Sequence, residues 1–276
     1  ASECATQENY QKMMETLKEN GVEPGIIIID AKWQQNMGTP VVDKNKWPDL
    51  RGFVDKMHSE NKKVLLWIKS WDAEGLSKKE CVSLLCNPIA ADPTNPIYRK
   101  RIEENIKTLL SEDEGCFDCD GFKVDFINCI PKGEDIVTYE PGIYGVELMK
   151  RWLELVYTSA KKVKPDALMN VSSAHPYMAS VCDQMRIHDY DGRMRSVCTT
   201  MAYRAEIVQS VFPGILIDCD AGGFGSKRDF LRYMEYQPKI GVPDLYWSAS
   251  GPDVQLGEEE YKAIRTIWEK YSENIQ

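Results

Sequence analysis

Short apolar runs alternate along the chain with stretches whose apolar residues recur every three or four positions. The runs "GIIII" near 26–30, "KVLLWIK" at 63–69, "GFKVDF" at 121–126, "ALMNVS" at 167–172, "QMRIHD" at 184–189, "GILID" at 214–218 and "DLYWSA" at 244–249 predict seven strands. Helical spacing fills the gaps. Tyr10, Met13, Met14 and Leu17 form one apolar stripe, closed by Gly21. Leu50, Phe53, Val54 and Met57 form a second, with Pro48 at the expected first helical position. Further helices are predicted near 96–111, 145–163, 198–210, 227–237 and 257–272.

Strand and helix in alternation mean a parallel sheet with right-handed crossovers. Seven repeats that begin with a helix predict an α/β fold, a (β/α)8 TIM barrel lacking or truncating its first strand. Residues 1–276 then read as one catalytic barrel domain, excised from or truncated relative to a longer protein. The competing open doubly wound sheet calls for a glycine-rich phosphate turn after an early strand, and the sequence has none. Loop lengths favour the barrel. Connections into strands are short ("NGVEP", "ENK", "VKPD"), whereas those leaving strands are long at 31–46, 70–94 and 127–144. Barrel enzymes build their sites from the loops after the strands.

A net charge of −9 argues against nucleic acid or an anionic membrane as partner. No run has the unbroken apolar length of a membrane span. The nine cysteines are an odd number, which fits reduced, packed thiols better than a disulfide framework. "CFDC" at 116–119 is a lone CxxC in a chain with three histidines, too few partners for structural zinc. With no signal peptide at its start, the sequence points to the cytoplasm, although a mature exported form would also lack a leader. Oligomeric state is not legible.

Charge gathers at the carboxyl ends of the predicted strands. Asp30 ends the first, with Lys32 and Trp33 beyond it. Trp67 and Lys69 lie on the second, with Trp71 and Asp72 following. Lys123 and Asp125 alternate on the third, so both point to one side while Phe122, Val124 and Phe126 point to the other. Arg186 and Asp189 lie on a later strand, with Asp191 beyond, and Asp218 and Asp220 follow. Each has a plain structural reading: Asp72 and Asp220 as helix caps, the tryptophans as core. Charges aimed into a barrel mouth are nevertheless costly unless paired or solvated. Together they describe a polar site with aromatic walls, suited to a carbohydrate whose hydroxyls need charged partners and whose C–H faces stack on tryptophan.

Two carboxylates on facing strands give a glycosidase its nucleophile and its acid/base. Lys123, about 6–7 Å from Asp125 along the strand, would favour the charged form of that aspartate. Asp189 and Asp191 are the acid/base candidates, and a direct Arg186–Asp189 pair would work against the proton that the role requires.

These residues carry a family resemblance. "GFKVDF" resembles the K-x-D strand of clan D α-glycosidases, the family 36 (melibiase-type) α-galactosidases and their relatives. "IIIIDAKW" is similar to their strand-end D-D-G-W, "DLRGFVDKMHSENKKVLLWI" to the helix and strand that follow, and "MRIHDYD" to the segment supplying the acid/base. The similarity runs loosely over residues 5 to 220. It implies a retaining α-glycoside hydrolase on a (β/α)8 barrel, with Asp125 as nucleophile and Asp189 (or Asp191) as acid/base. Asp30, Lys32, Trp33, Trp67, Lys69, Lys123 and Arg186 would hold the sugar, with no metal or organic cofactor. Where α-galactosidases carry a second aspartate this chain has Ala31 and then Lys32. With Lys69 nearby, that departure opens the site to a sugar bearing an acidic or otherwise modified group. Two other readings are a carbohydrate-binding barrel without catalysis and a Schiff-base lyase using Lys123.

Overall fold

The structure, a computed structural model, describes residues 5–69, 71–190, 196–248, 251–252 and 254–275. Six parallel strands lie side by side in chain order: β1 (Ile26–Ile29), β2 (Lys63–Lys69), β3 (Gly121–Asp125), β4 (Leu168–Val171), β5 (Gln184–Arg186) and β6 (Leu216–Asp218). The helices are α1 (Gln7–Glu19), α2 (Leu50–Ser59), α3 (Pro96–Leu110), α4 (Gly145–Val163), α5 (Val197–Val211), α6 (Lys227–Tyr236) and α7 (Glu258–Ile275). A 3₁₀ turn, Pro176–Val181, stands between β4 and β5. The curled parallel sheet with its helices is an incomplete (β/α) barrel, in which β1 and β6 are not paired to each other among the described residues.

Strand register places the chemistry at one end. Lys69 pairs with Asp125 across β2 and β3, Lys123 with Asn170 across β3 and β4, and Arg186 with Asp218 across β5 and β6. Phe122 and Val124 are fully buried among the core side chains. Gly121 begins β3 with a positive φ, and a Cβ there would lie 2.0 Å from the Leu168 carbonyl oxygen, so only glycine lets β3 and β4 meet at this point.

Two sequence expectations need correction. Pro48 is not the first helical residue: Asp49 caps α2, its carboxylate accepting the Gly52 N–H at 2.9 Å, and the helix starts at Leu50. The run 244–249, of which residue 249 lies outside the described residues, forms no barrel strand over 244–248. Val242 makes a single parallel bridge to Asp218, and the ladder stops at Pro243, which has no N–H to give. The Gln237 side chain then takes both backbone groups of Asp244, accepting its N–H and donating to its carbonyl, each at 3.0 Å. Trp247–Ser248 pairs instead with Gly251–Pro252 as a hairpin.

The long loops after strands carry structure of their own. Gln34–Asn36 and Thr39–Val42 form a hairpin after β1. Residues Cys81–Leu84 and Asn87–Ala91, after β2, pair with Ile136–Val137, after β3, in one small antiparallel sheet. Glu80, almost completely enclosed, ties this sheet to α3 through Arg101 and accepts the Ser77 N–H and hydroxyl. No helix among the described residues is long and apolar enough to cross a membrane. The eight described cysteines are all free thiols.

Candidate active site

Asp125 ends β3 with two donors on its carboxylate. The Trp67 indole N–H reaches Oδ2 at 3.1 Å, and the backbone N–H of Phe126 reaches Oδ1 at 2.8 Å. Phe126 sits in the left-handed region (φ 56°), which turns the chain back over its own carboxylate. The ring of Phe126 packs edge-on against Trp67, and its carbonyl accepts the Trp71 indole N–H at 3.3 Å. The two donors fix the orientation of the carboxylate.

Beneath Asp125 lies a buried ionic network. Lys123 Nζ meets Asp220 Oδ2 at 2.6 Å, Arg186 Nε meets the same oxygen at 2.5 Å, and Arg186 Nη2 meets Asp189 Oδ1 at 2.6 Å. Burial disfavours the charge on Lys123, but the Asp220 and Asp30 carboxylates together outweigh it and lift the lysine above its ordinary range. Asp220 is likewise penalised by burial, yet Lys123 and Arg186 hold it well below the usual carboxylate range. Asp218 moves the other way: burial and the neighbouring Asp220 charge raise it, while Asn170 Nδ2 lies 2.5 Å from its Oδ2. Asp244 is also raised, by burial and by Asp220.

Asp189 sits at the mouth, its side chain 62% exposed against 3% for Arg186. Simple alternation after Arg186 would turn Asp189 toward the helices. The left-handed residue His188 (φ 69°) breaks the alternation and brings the carboxylate back to Arg186 and to the Gly222 N–H at 3.0 Å. Gly223 (φ 84°) lets that loop approach closely, since a Cβ there would lie 2.3 Å from the Tyr190 carbonyl oxygen.

The remaining sequence candidates separate. Asp30 follows directly on β1, its N–H donating to the Tyr10 hydroxyl at 2.8 Å and its Oδ1 accepting from the Ala31 N–H at 2.9 Å. It lines a cavity of about 360 Å³ between β1 and the 242–247 segment, together with Lys123, Asp220 and Tyr246. Burial and Asp30 push the Tyr246 hydroxyl up to about 12. Trp33 is fully buried, its indole N–H donating to the Trp67 carbonyl at 2.7 Å, so it supports Trp67 and presents no face to a sugar. Trp67 is 3% exposed and orients Asp125 in preference to offering a stacking platform. Lys69 pairs with Asp72 at 2.5 Å and lies over the Phe126 ring. Lys32 adopts φ 69°, and its carbonyl accepts from Lys46 Nζ at 2.6 Å. Lys123 has Asp220 as its ion-pair partner, across the barrel from the Asp125 expected beside it. Asp191 lies outside the described residues.

Asp220 belongs with the mouth charges, as one of its two sequence readings had it, but in a central role that sequence reasoning did not assign. Ser226, not Asp220, caps α6. The signal was present: Asp218 and Asp220 alternate at a strand end, as Lys123 and Asp125 do. Trp67→Phe keeps the ring and removes one donor from Asp125. With Asp125 as the nucleophile that the sequence resemblance implies, the change is expected to lower hydrolytic turnover by roughly 10-fold, the scale of a hydrogen bond to a charged group, with little change in melting temperature. Steady-state kinetics beside thermal unfolding check this.

A carboxylate-rich face at the carboxyl ends of a parallel (β/α) barrel defines the class: a barrel with its polar site where barrel enzymes keep theirs. The family model "Glycosyl hydrolases family 31 TIM-barrel domain" matches residues 1–206, and the chain belongs to that family. Family 31 lies in the clan D superfamily that the sequence motifs resemble, and the match is to family 31, not specifically to the family 36 α-galactosidase type. No curated protein sequence matches the chain. Among solved structures, a family 31 α-xylosidase from a soil metagenome, complexed with xylose, is similar at TM-score 0.69 and 12% identity, covering 98% of this chain and 47% of its own. A family 31 sulfoquinovosidase from E. rectale, in complex with an aza-sugar inhibitor, gives TM-score 0.73 and 14% identity over 95% of this chain and 45% of its own. A cycloalternan-degrading enzyme from Trueperella pyogenes, in complex with a covalent intermediate, gives 0.67 and 15% over 99% and 45%. The chain thus spans less than half the length of these structures, and at such identities the likeness is one of fold.

Proposed function

We propose that residues 1–276 act as one catalytic barrel and that the protein is a retaining α-glycoside hydrolase working through a covalent glycosyl-enzyme. The supporting observation is the Asp125 carboxylate, fixed by two donors at the end of β3, with Asp189 held at the end of β5 one strand beyond β4. In this reading Asp125 attacks the anomeric carbon. Asp189 gives its proton to the departing oxygen, then takes one from the water that releases the sugar. Lys123, Arg186 and Asp30 would hold sugar hydroxyls from below, with Asp220 keeping both cations in place.

The Lys123–Asp220 pair speaks against a Schiff-base lyase, because a lysine whose charge is stabilised is a poor nucleophile. The galactose specificity implied by the sequence motifs has no support among the neighbours, and Ala31 stands where a second aspartate would grip that sugar. The reading stays at α-glycoside, with the sugar to be found by assay. A panel of aryl α-glycosides (xyloside, glucoside, galactoside and anionic sugars) and their β counterparts tests it. Release from at least one α member and from no β member is expected. Silence across the α series refutes the reading.

A further inference from the structure

Three successive carbonyls converge on one guanidinium nitrogen. Arg204 Nη1, reaching across from α5, donates to the carbonyl oxygens of Ile187 at 3.0 Å, His188 at 3.0 Å and Asp189 at 2.9 Å. These are the residues of the curl that returns Asp189 to the site, with the left-handed His188 at its centre. A non-glycine residue in that region is strained, and strain persists only where the surroundings over-determine it. Three carbonyl dipoles aimed at one point also repel one another unless a cation sits among them. Arg204 supplies that cation, and charge-assisted hydrogen bonds are the stronger kind.

We propose that Arg204 is a positioning residue for acid/base catalysis: its clamp on the 187–189 carbonyls sets where the Asp189 carboxyl stands. The inference rests on the glycosidase reading above. Arg204 acts through the backbone and is not required to touch substrate. The Ile187 side chain is buried in the core, so the start of the curl is already anchored. The free variable is the peptide geometry at His188 and Asp189. The Tyr190 N–H to Gly222 carbonyl bond, at 3.0 Å, anchors the far end. Loss of Arg204 would therefore relax the curl between two fixed points, shifting Asp189 while leaving Asp125 as it is.

The consequence is a dependence on leaving group. An activated aryl glycoside departs without a proton, whereas an alkyl or unsubstituted phenyl glycoside needs the acid. In the full-length protein, Arg204→Ala is expected to lose kcat/KM, which reports the step that expels the leaving group, by on the order of 100-fold more on a poor leaving group than on a dinitrophenyl glycoside, the scale of a misplaced catalytic group. Arg204→Lys, which restores a cation with several donors, should recover most of the difference. Melting temperatures of both variants are measured alongside. An equal loss on both substrates, or no loss on either, overturns the positioning role while leaving the glycosidase reading intact. A wild-type protein inactive on every α-glycoside refutes both. A crystal structure of Arg204→Ala with residues 187–189 unmoved also overturns the inference.

Discussion

Asp125→Ala is expected to abolish hydrolysis of an activated aryl α-glycoside, with turnover falling roughly 10⁴-fold or more, about 5 kcal/mol of transition-state stabilisation. The size follows from the role proposed. A nucleophile that forms the glycosyl-enzyme has no substitute within the network, because Asp220 is enclosed between Lys123 and Arg186 and Asp189 stands two strands away at the mouth. Stability should change little, since Asp125 lies at a strand end and is not among the core residues. Small nucleophiles such as azide, entering the space left by the carboxylate, should restore part of the turnover and give a β-glycosyl azide. Initial rates with and without azide, beside a thermal melt, check both halves.

Asp220→Asn should instead destabilise. It removes the negative charge from the group that both Lys123 and Arg186 approach, leaving two buried cations side by side against a neutral amide. Breaking a buried ionic cluster by removing one partner costs about 3–5 kcal/mol, which corresponds to a fall in melting temperature on the order of 10 °C. Its pH dependence has a definite sign. The Asp220 carboxyl is held below its ordinary range in the folded protein, so its contribution is fully present above that range and is lost as pH falls through the depressed folded value. The difference in melting temperature between wild type and Asp220→Asn should therefore be largest near neutrality and begin to narrow below about pH 4. A difference that stays constant down to acid pH would mean that the carboxylate charge is not what stabilises the fold there.

Much of this was legible in the chain and some was not, for reasons visible in particular residues. Six strands follow from apolar runs, because the helix-facing residues must be buried whatever the loops do. The run 244–249 has the same pattern but forms no barrel strand over 244–248, since Pro243 ends the ladder and Gln237 occupies the Asp244 backbone groups. Periodicity carries neither fact. Asp125 was legible because alternation with Lys123 puts two charges on one face of an apolar strand. The partner of Lys123 was not legible, since Asp220 is distant in sequence and reaches it across the barrel. Trp33 and Trp67 look alike as tryptophans near strand ends. Only packing tells that one is sealed in the core while the other carries a hydrogen bond to Asp125. The direct contact of Asp189 with Arg186 depends on one left-handed residue, His188, which no side-chain pattern announces.

The most direct test is covalent. The protein is incubated with a 5-fluoro-α-glycosyl fluoride of the sugar found by the aryl glycoside panel, then digested and mapped by mass spectrometry. One glycosyl unit on the peptide carrying "GFKVDF", attached at Asp125 and released on prolonged incubation as activity returns, is the predicted result. An active enzyme that gives no adduct, or carries the label on Asp189 or Asp220, contradicts it.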